Sequence, residues 1–449
     1  MEADYVSVDG NGVTFVTIHG KPTLDLRNIK VDTSEGAHEG PVITKCRNIV
    51  SSNILVRSSR TVTGIEELYG KVDDTTTIEL SGSGNVNVVG ISSVPLTGNI
   101  SGGTFTITSS GNAFGVDVLH GTISGGRFSV TGSGTALGVG TAHGDISGGE
   151  FSVTGSKHTW GIGTLHGTIS GGKFTATCTG THNSALGVGT VLGTISRGEF
   201  IVTGTTDRTD TFGVGTVGGN ALISGNPTFT VQSREDAFGV GTVNENGRIS
   251  GGKFTVTGSN LANGIGSSDR HKSGMRGNAL VSGGEFCING KNEANGISYF
   301  GSSNAKVSGG TFWSKGGNGA TGIYSFDSNL STEVALTGGT FYAWGPNEDS
   351  TAAIGGGWKL GNSVYIPCHV FTYLCNNKNY AKNANRYIIP NDGTTFFEIY
   401  DRSATCPEPI QATTPTPAPA PTIESTARPN TMSTPEASGI EGTTTAPTR

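Results

Sequence analysis

The sequence predicts an all-β fold, a right-handed parallel β-helix wound as a solenoid with three short strands per coil and a disordered C-terminal tail. Three observations carry that expectation. Of 449 residues, 73 are glycine, 14% are charged and 7% are aromatic, and no stretch sustains a 3.6-residue apolar period. The phrase "HGTISGGRFSVTGSGTALGVGTAHGDISGGEFSVTG", residues 120–155, says nearly the same thing twice. Finally, Phe105, Phe128, Phe151 and Phe174 recur every 23 residues, and Phe200, Phe229, Phe254, Phe286, Phe312 and Phe341 continue the series at intervals of 25–32. A fixed period that later expands marks a solenoid whose turns accept loops.

Each unit contains three strand-like pieces. The first is "TIS" or its equivalent, centred on Ile100, Ile123, Ile146, Ile169, Ile195, Ile223 and Ile249, then Val281, Val307 and Leu336. The second, "RFSVT", alternates cleanly, with Phe128 and Val130 on one face and Arg127, Ser129 and Thr131 on the other. The third, "ALGVGT", is expected to repeat that alternation, with Leu137 and Val139 inward and Gly138 and Gly140 outward. Gly-rich corners, which favour positive φ and tight bends, separate the three. One such coil cannot bury its apolar face alone, so repetition is how this chain builds a core. Ten coils at the strand spacing of ~4.8 Å give a rod of about 48 Å.

The residues preceding the phenylalanines, Thr104, Arg127, Glu150, Lys173, Glu199, Lys253 and Glu285, become coil-to-coil neighbours with alternating charge. Such a ladder penalises a slipped register. Residues 1–99 keep the apolar alternation, as in "GVTFVTIHGKPTLDLRNIKV", and read as an N-terminal cap with larger, irregular coils; residues 100–345 are the regular repeats. A C-terminal cap of high aromatic density is expected over 346–406, followed by a Pro/Thr-rich, disordered stalk or linker over 407–449.

Composition bounds the chemistry. A net charge of −6 with no basic stripe excludes nucleic acid as a partner. Six cysteines without a C-x-x-C are too scattered for a disulfide framework or a zinc site, although Cys368, Cys375 and Cys406 are placed for one local bridge. "MEADYVSVDG" has neither the basic nor the apolar region of a signal peptide, and no run of about 18 apolar residues spans a membrane. Sequons stand at Asn99 and Asn329.

With this periodicity, residues 1–400 resemble the pectin-lyase-like β-helix superfamily, which includes polysaccharide lyases, polygalacturonases, tailspikes and the passenger rods of adhesins. The resemblance implies the fold more than the function. The segment "CRNIVSSNILV" is most similar to polygalacturonases, whose Asn-x-Asp, Asp-Asp, Gly-His-Gly and Arg-x-Lys elements sit on neighbouring coils. Here Asp73-Asp74 is present, but His19-Gly20 precedes the pair instead of following it, and no Arg-x-Lys follows. Asp73, Asp74 and Asp117, the last replacing a glycine of the "GVG" phrase, remain the candidate catalytic carboxylates.

His120, His143 and His166 also recur every 23 residues and are expected to stack on one edge, where they are the candidates for a metal or a switch near pH 6. No cofactor is expected. A Thr/Ser stripe including Thr106, Thr108, Ser129, Thr131, Ser152 and Thr154 has the layout of an ice-binding face, but Ile201 and Gln232 interrupt it. Tyr299, Phe300, Trp313, Tyr324, Tyr342 and Trp344 crowd the C-terminal coils and are the candidates for stacking on sugars. The reading these observations support is a non-enzymatic, adhesin-like rod at an extracellular, cell or virion surface, binding a glycan or cell-surface protein through its lateral face and loops. The alternatives are a carbohydrate-active enzyme on the same fold and a viral or phage fibre, for which a homotrimer is expected.

Overall fold

The computed structural model describes residues 5–9, 21–33, 40–267, 274–298, 304–325, 335–344 and 351–356. The chain divides into two units, Met1–Pro407 and Glu408–Arg449. Within the first, every described strand pairs in parallel, in a 24-stranded and a 13-stranded sheet. The expected solenoid is therefore met, with three strands to a coil. The Pro/Thr-rich segment and Cys368, Cys375 and Cys406 lie outside the described residues.

One coil shows how the sequence makes the turn. A two-residue strand, Thr122–Ile123, leads through a glycine corner into Arg127–Gly132, and a second bend leads into Ala136–Ala142. The corner closes because Gly126 adopts φ +88°, a left-handed conformation that a Cβ would strain. The equivalent glycines Gly103, Gly149, Gly172, Gly198, Gly252, Gly284 and Gly310 have φ between +86° and +117°. The position two residues before the phenylalanine is thus fixed by backbone sterics in these coils, while Pro227 takes that place before Thr228–Ser233.

Register follows the sequence repeat. Phe105 pairs with Phe128, Phe128 with Phe151, and the series continues unbroken to Phe341. From Phe105 to Phe312 consecutive rings stack with centroids 4.5–5.0 Å apart and planes within 9°. They are at most 1% exposed and share one core with the isoleucine column of the short strands. Burying each such side chain contributes roughly 1.5–3 kcal/mol.

The coils before Asn99 stack in the same three-strand arrangement. Asn53–Ser58 pairs with Thr77–Gly82, which pairs with Thr104–Ser109, and Val62–Leu68 pairs with Val88–Val94. After Gly258 the arrangement loosens. The short and phenylalanine strands fuse into single strands, Leu280–Gly290 and Lys306–Gly316, whose mutual pairing shifts register around Ser282.

Of the charge ladder, Arg127 pairs with Glu150 at 3.0 Å and Lys173 with Glu199 at 3.1 Å. All seven positions fall in one column of the register, with Thr228 between Glu199 and Lys253. The ladder is two discrete pairs among its described members.

Candidate functional site

The wall formed by the glycine strands departs from the simple alternation, and the departure creates the most distinctive surface on the rod. Ala136, Val139 and Ala142 face the core, but Leu137 lies on the other side of its strand, outside the core cluster. Gly138 is the inward position: a Cβ there would stand 3.1 Å from Val153 Cγ2, 3.3 Å from Phe151 Cδ1 and 2.6 Å from the carbonyl oxygen of Gly161. The expected inward Leu137 and outward Gly138 are thus exchanged. Two consecutive residues, Gly138 and Val139, turn inward, and a strict two-residue period cannot represent that. The same break recurs in neighbouring coils, where Val88–Val94, Ala113–Leu119 and the glycine strands that follow show matching burial patterns.

The consequence is an apolar column on the outside. Phe114, Leu137, Trp160, Leu186, Phe212 and Phe238 stand in register over six coils, about 24 Å at the strand spacing. Phe114, Trp160, Leu186 and Phe212 are half-buried, whereas Leu137 is 7% exposed and Phe238 is fully buried; the Phe212 and Phe238 rings stack at 4.7 Å. These side chains lie down over the next coil. Leu137 Cδ2 comes within 3.3 Å of the place a Cβ of Gly163 would occupy, and Leu186 Cδ2 within 2.8 Å of that of Gly215. The second glycine of "GVG" is therefore the floor under this column. Beyond it runs a hydroxyl row, Thr141, Thr164, Thr190, Thr216 and Thr242. The indole Nε1 of Trp160 is buried with no hydrogen-bond partner.

Past Phe238 the column changes character. Asn263 and Asn295 occupy it, both buried, and Asn295 Nδ2 donates to Asn263 Oδ1 at 3.0 Å. Strands Leu261–Ile265 and Glu293–Ile297 end in register with each other.

The three candidate carboxylates do not meet. Asp73 is a turn acceptor: it takes hydrogen bonds from the Ser51 amide at 3.0 Å, Thr75 Oγ1 at 2.9 Å and Thr76 Oγ1 at 2.6 Å. Burial works against its charge, but these donors hold the carboxyl below its ordinary range. Asp74 lies in the same turn, against Gly102 of the next coil. Asp117 stands elsewhere, in the outer glycine column beside Gly140, where burial raises its pKa. Cys46 and Cys178 are buried free thiols; burial pushes Cys46 up to about 12 and raises Cys178 as well, which removes both as nucleophiles.

The histidines do stack. His120 and His143 lie 4.8 Å apart with planes at 6°, and His143 and His166 lie 4.6 Å apart at 15°. Imidazole lone pairs lie in the ring plane, so face-to-face rings present parallel nitrogens that do not converge on a metal. Among the described residues no group of three or more His, Cys, Asp or Glu is placed to hold one. Desolvation, then the neighbours His166 and His120, hold His143 below its ordinary pKa.

Of the C-terminal aromatics, Tyr299 and Phe300 lie outside the described residues. Trp313 is half-buried and pairs in register with Tyr342, while Lys315 pairs with Trp344. Tyr324 lies on the other sheet, opposite Gly355. Thr255 and Cys287 precede Trp313 in its outward column and are both buried, so the column is covered there. The Thr/Ser stripe is in register but takes in Ile201 and Gln232 as expected.

Sequence reasoning missed the column from Phe114 to Phe238. Its signal was available: a large apolar residue precedes "GVG" or "GIG" at Leu137, Trp160, Leu186, Phe212 and Phe238, and "GVD" at Phe114. Among the described residues no helix is long and apolar enough to cross a membrane. At the level of fold the chain is consistent with the pectin-lyase-like superfamily. No protein-family model matches the chain, and neither does any curated protein or solved structure.

Proposed function

We propose that the chain is a non-enzymatic, adhesin-like surface rod that binds an extended glycan along the outside of its 13-stranded sheet. The observation that carries this reading is the apolar column from Phe114 to Phe212, in which Phe114, Trp160, Leu186 and Phe212 are half-buried, edged by threonine hydroxyls and held flat on a rigid scaffold. Sugar rings offer an apolar face that packs on aromatic surfaces and a rim of hydroxyls that seeks polar partners. A solenoid repeats both features at every coil, which suits a polymeric ligand. Asp73 is engaged by three turn donors, and Asp117 stands on a different wall from the Asp73–Asp74 turn, which supports binding without turnover, because glycoside hydrolysis needs two available carboxyls about 5–9.5 Å apart around one bond.

The test is a glycan-array screen of the full chain together with incubation against neutral and acidic polysaccharides. The expected result is binding without released product, weakened at least tenfold by Trp160→Ala with Phe212→Ala. Released oligosaccharide would overturn it.

A second reading, a carbohydrate-active enzyme, draws on one observation. Burial raises the Asp117 pKa, as a general acid requires, and Asp117 lies on the same outer wall. If product appears, Asp117→Asn is the variant that must abolish it.

A further inference from the structure

The corner between the glycine strands and the short strands carries a groove that the reading above does not use. Its volume is about 800 Å³, and it is lined by Lys21, Arg47, Tyr69, Pro95, Leu96, Thr97 and His120. Two features set it apart. First, the described residues that line it include cations but no carboxylate. Glu67, two residues from Tyr69, is engaged by Lys45 at 3.2 Å and by the Tyr69 hydroxyl at 2.5 Å, leaving Lys21 to act on it only from a distance. Glu66 acts on Lys45 from the neighbouring column. Arg47 is exposed and makes no ion pair with a described residue, while Lys21 Nζ sits over the Tyr69 ring, 3.5 Å from its centroid. Second, the lip is apolar. Leu96 is 84% exposed, one of two large hydrophobic residues so placed among the described residues, and it projects from a two-residue insertion, Pro95–Leu96, at this corner of the coil.

A guanidinium and an ammonium without an acid attract an anionic group, and Arg offers it a two-pronged hydrogen-bonding site. The lip of Pro95 and Leu96 suits an apolar ring surface carried next to that group. From these we infer that the groove binds an acidic sugar residue, its carboxylate or sulfate held by Arg47 and Lys21 and its ring packed on Leu96 and Pro95. The inference rests on the glycan-binding reading but uses a different surface.

The groove also opens onto the histidine stack. His120 forms its far rim, and His143 and His166 continue along the corner at the coil spacing. Lys21 and Arg47 line the same groove as His120, and in a neighbouring short strand Asp145 Oδ1 accepts the Thr168 amide proton at 2.8 Å.

The experiment is calorimetric titration of the full chain with a panel of acidic hexasaccharides, uronate-bearing and sulfated. Each is paired with its neutral twin, and inorganic sulfate and phosphate are run alongside. At least one acidic member is expected to bind tenfold or more tightly than its twin, with affinity falling as salt rises. Lys21→Gln with Arg47→Gln should remove that preference, and Leu96→Ala should weaken the saccharide severalfold without changing inorganic sulfate. All three positions are exposed, and an unchanged melting temperature checks folding. Equal affinity for every acidic member and its twin, or an unaltered preference in the Lys21/Arg47 variant, would overturn the inference. So would inorganic sulfate binding as tightly as the saccharide, which indicates a site for free anions only. Trp160→Ala separates the two readings: loss of neutral-glycan binding in that variant with acidic binding intact supports both surfaces. If glycans bind only through Trp160, the groove inference fails and the first reading stands.

Discussion

The two long strands of a coil obey different rules. In the phenylalanine strand, Phe128 and Val130 point in, Arg127, Ser129 and Thr131 point out, and the outer face is polar. In the glycine strand, Ala136, Gly138, Val139 and Ala142 point in, and the outer face carries Leu137 or its aromatic equivalents. Both walls are equally regular from coil to coil. The first therefore spends its regularity on a core and a solvated exterior, whereas the second adds a thin outer apolar layer. A repeat that only needed to fold would have no use for that second layer.

The largest expected effect sharpens this contrast. Phe151→Ala removes a fully buried ring from the core stack and should cost about 3–5 kcal/mol in chemical denaturation. Trp160→Ala deletes a larger side chain from the outer layer yet should cost less, since Trp160 is only half-buried and loses an indole N–H that has no partner. Equal losses would mean that the outer layer is part of the core after all.

Next in size is Gly161→Ala, which tests the inward glycine. Its Cβ would fall 2.6 Å from the carbonyl oxygen of Gly187, so backbone must move, at a cost of about 1–3 kcal/mol. An unchanged denaturation midpoint would show that the inward turn of this position is wrong.

Smaller effects come from charge on the outer wall. Burial raises the folded-state pKa of Asp117 above its ordinary value of 3.8, so the folded protein holds this proton longer than the unfolded chain does. Its contribution is therefore lost as pH rises from 3.8 through the raised pKa. Asp117→Asn should raise the melting temperature at neutral pH and leave it unchanged below pH 3.8.

The smallest is at the corner. His143 has a depressed folded-state pKa, so the unfolded chain binds protons first and stability falls as pH drops through about 6.5. Melting between pH 7.5 and 5.5 should fall slightly, and His143→Asn should reduce that dependence.

Much of this fold was legible because one spacing governs it. The phenylalanine and isoleucine columns, the charge column and the histidine stack all follow from residues that recur once per coil, and a parallel solenoid places such residues one strand spacing apart. The glycine strand was misread at Leu137 and Gly138 because a two-residue period assigns a face to a position, and a glycine carries no side chain to contradict it. The groove at Lys21, Arg47 and Leu96 was not legible at all. Its members come from coils separated by more than twenty residues each and share no motif.

The sequence by itself determined the solenoid, its register and the identity of its core columns, because equal spacing in the chain becomes adjacency in a stack. Only the tertiary structure decided which way Gly138 and Leu137 face, that Asp73 is spent on a turn while Asp117 is isolated, and that unpaired cations gather at one corner. Those outcomes depend on where a local bend sends a Cβ and on which charges find partners across coils, and neither quantity is written in the order of residues along the chain.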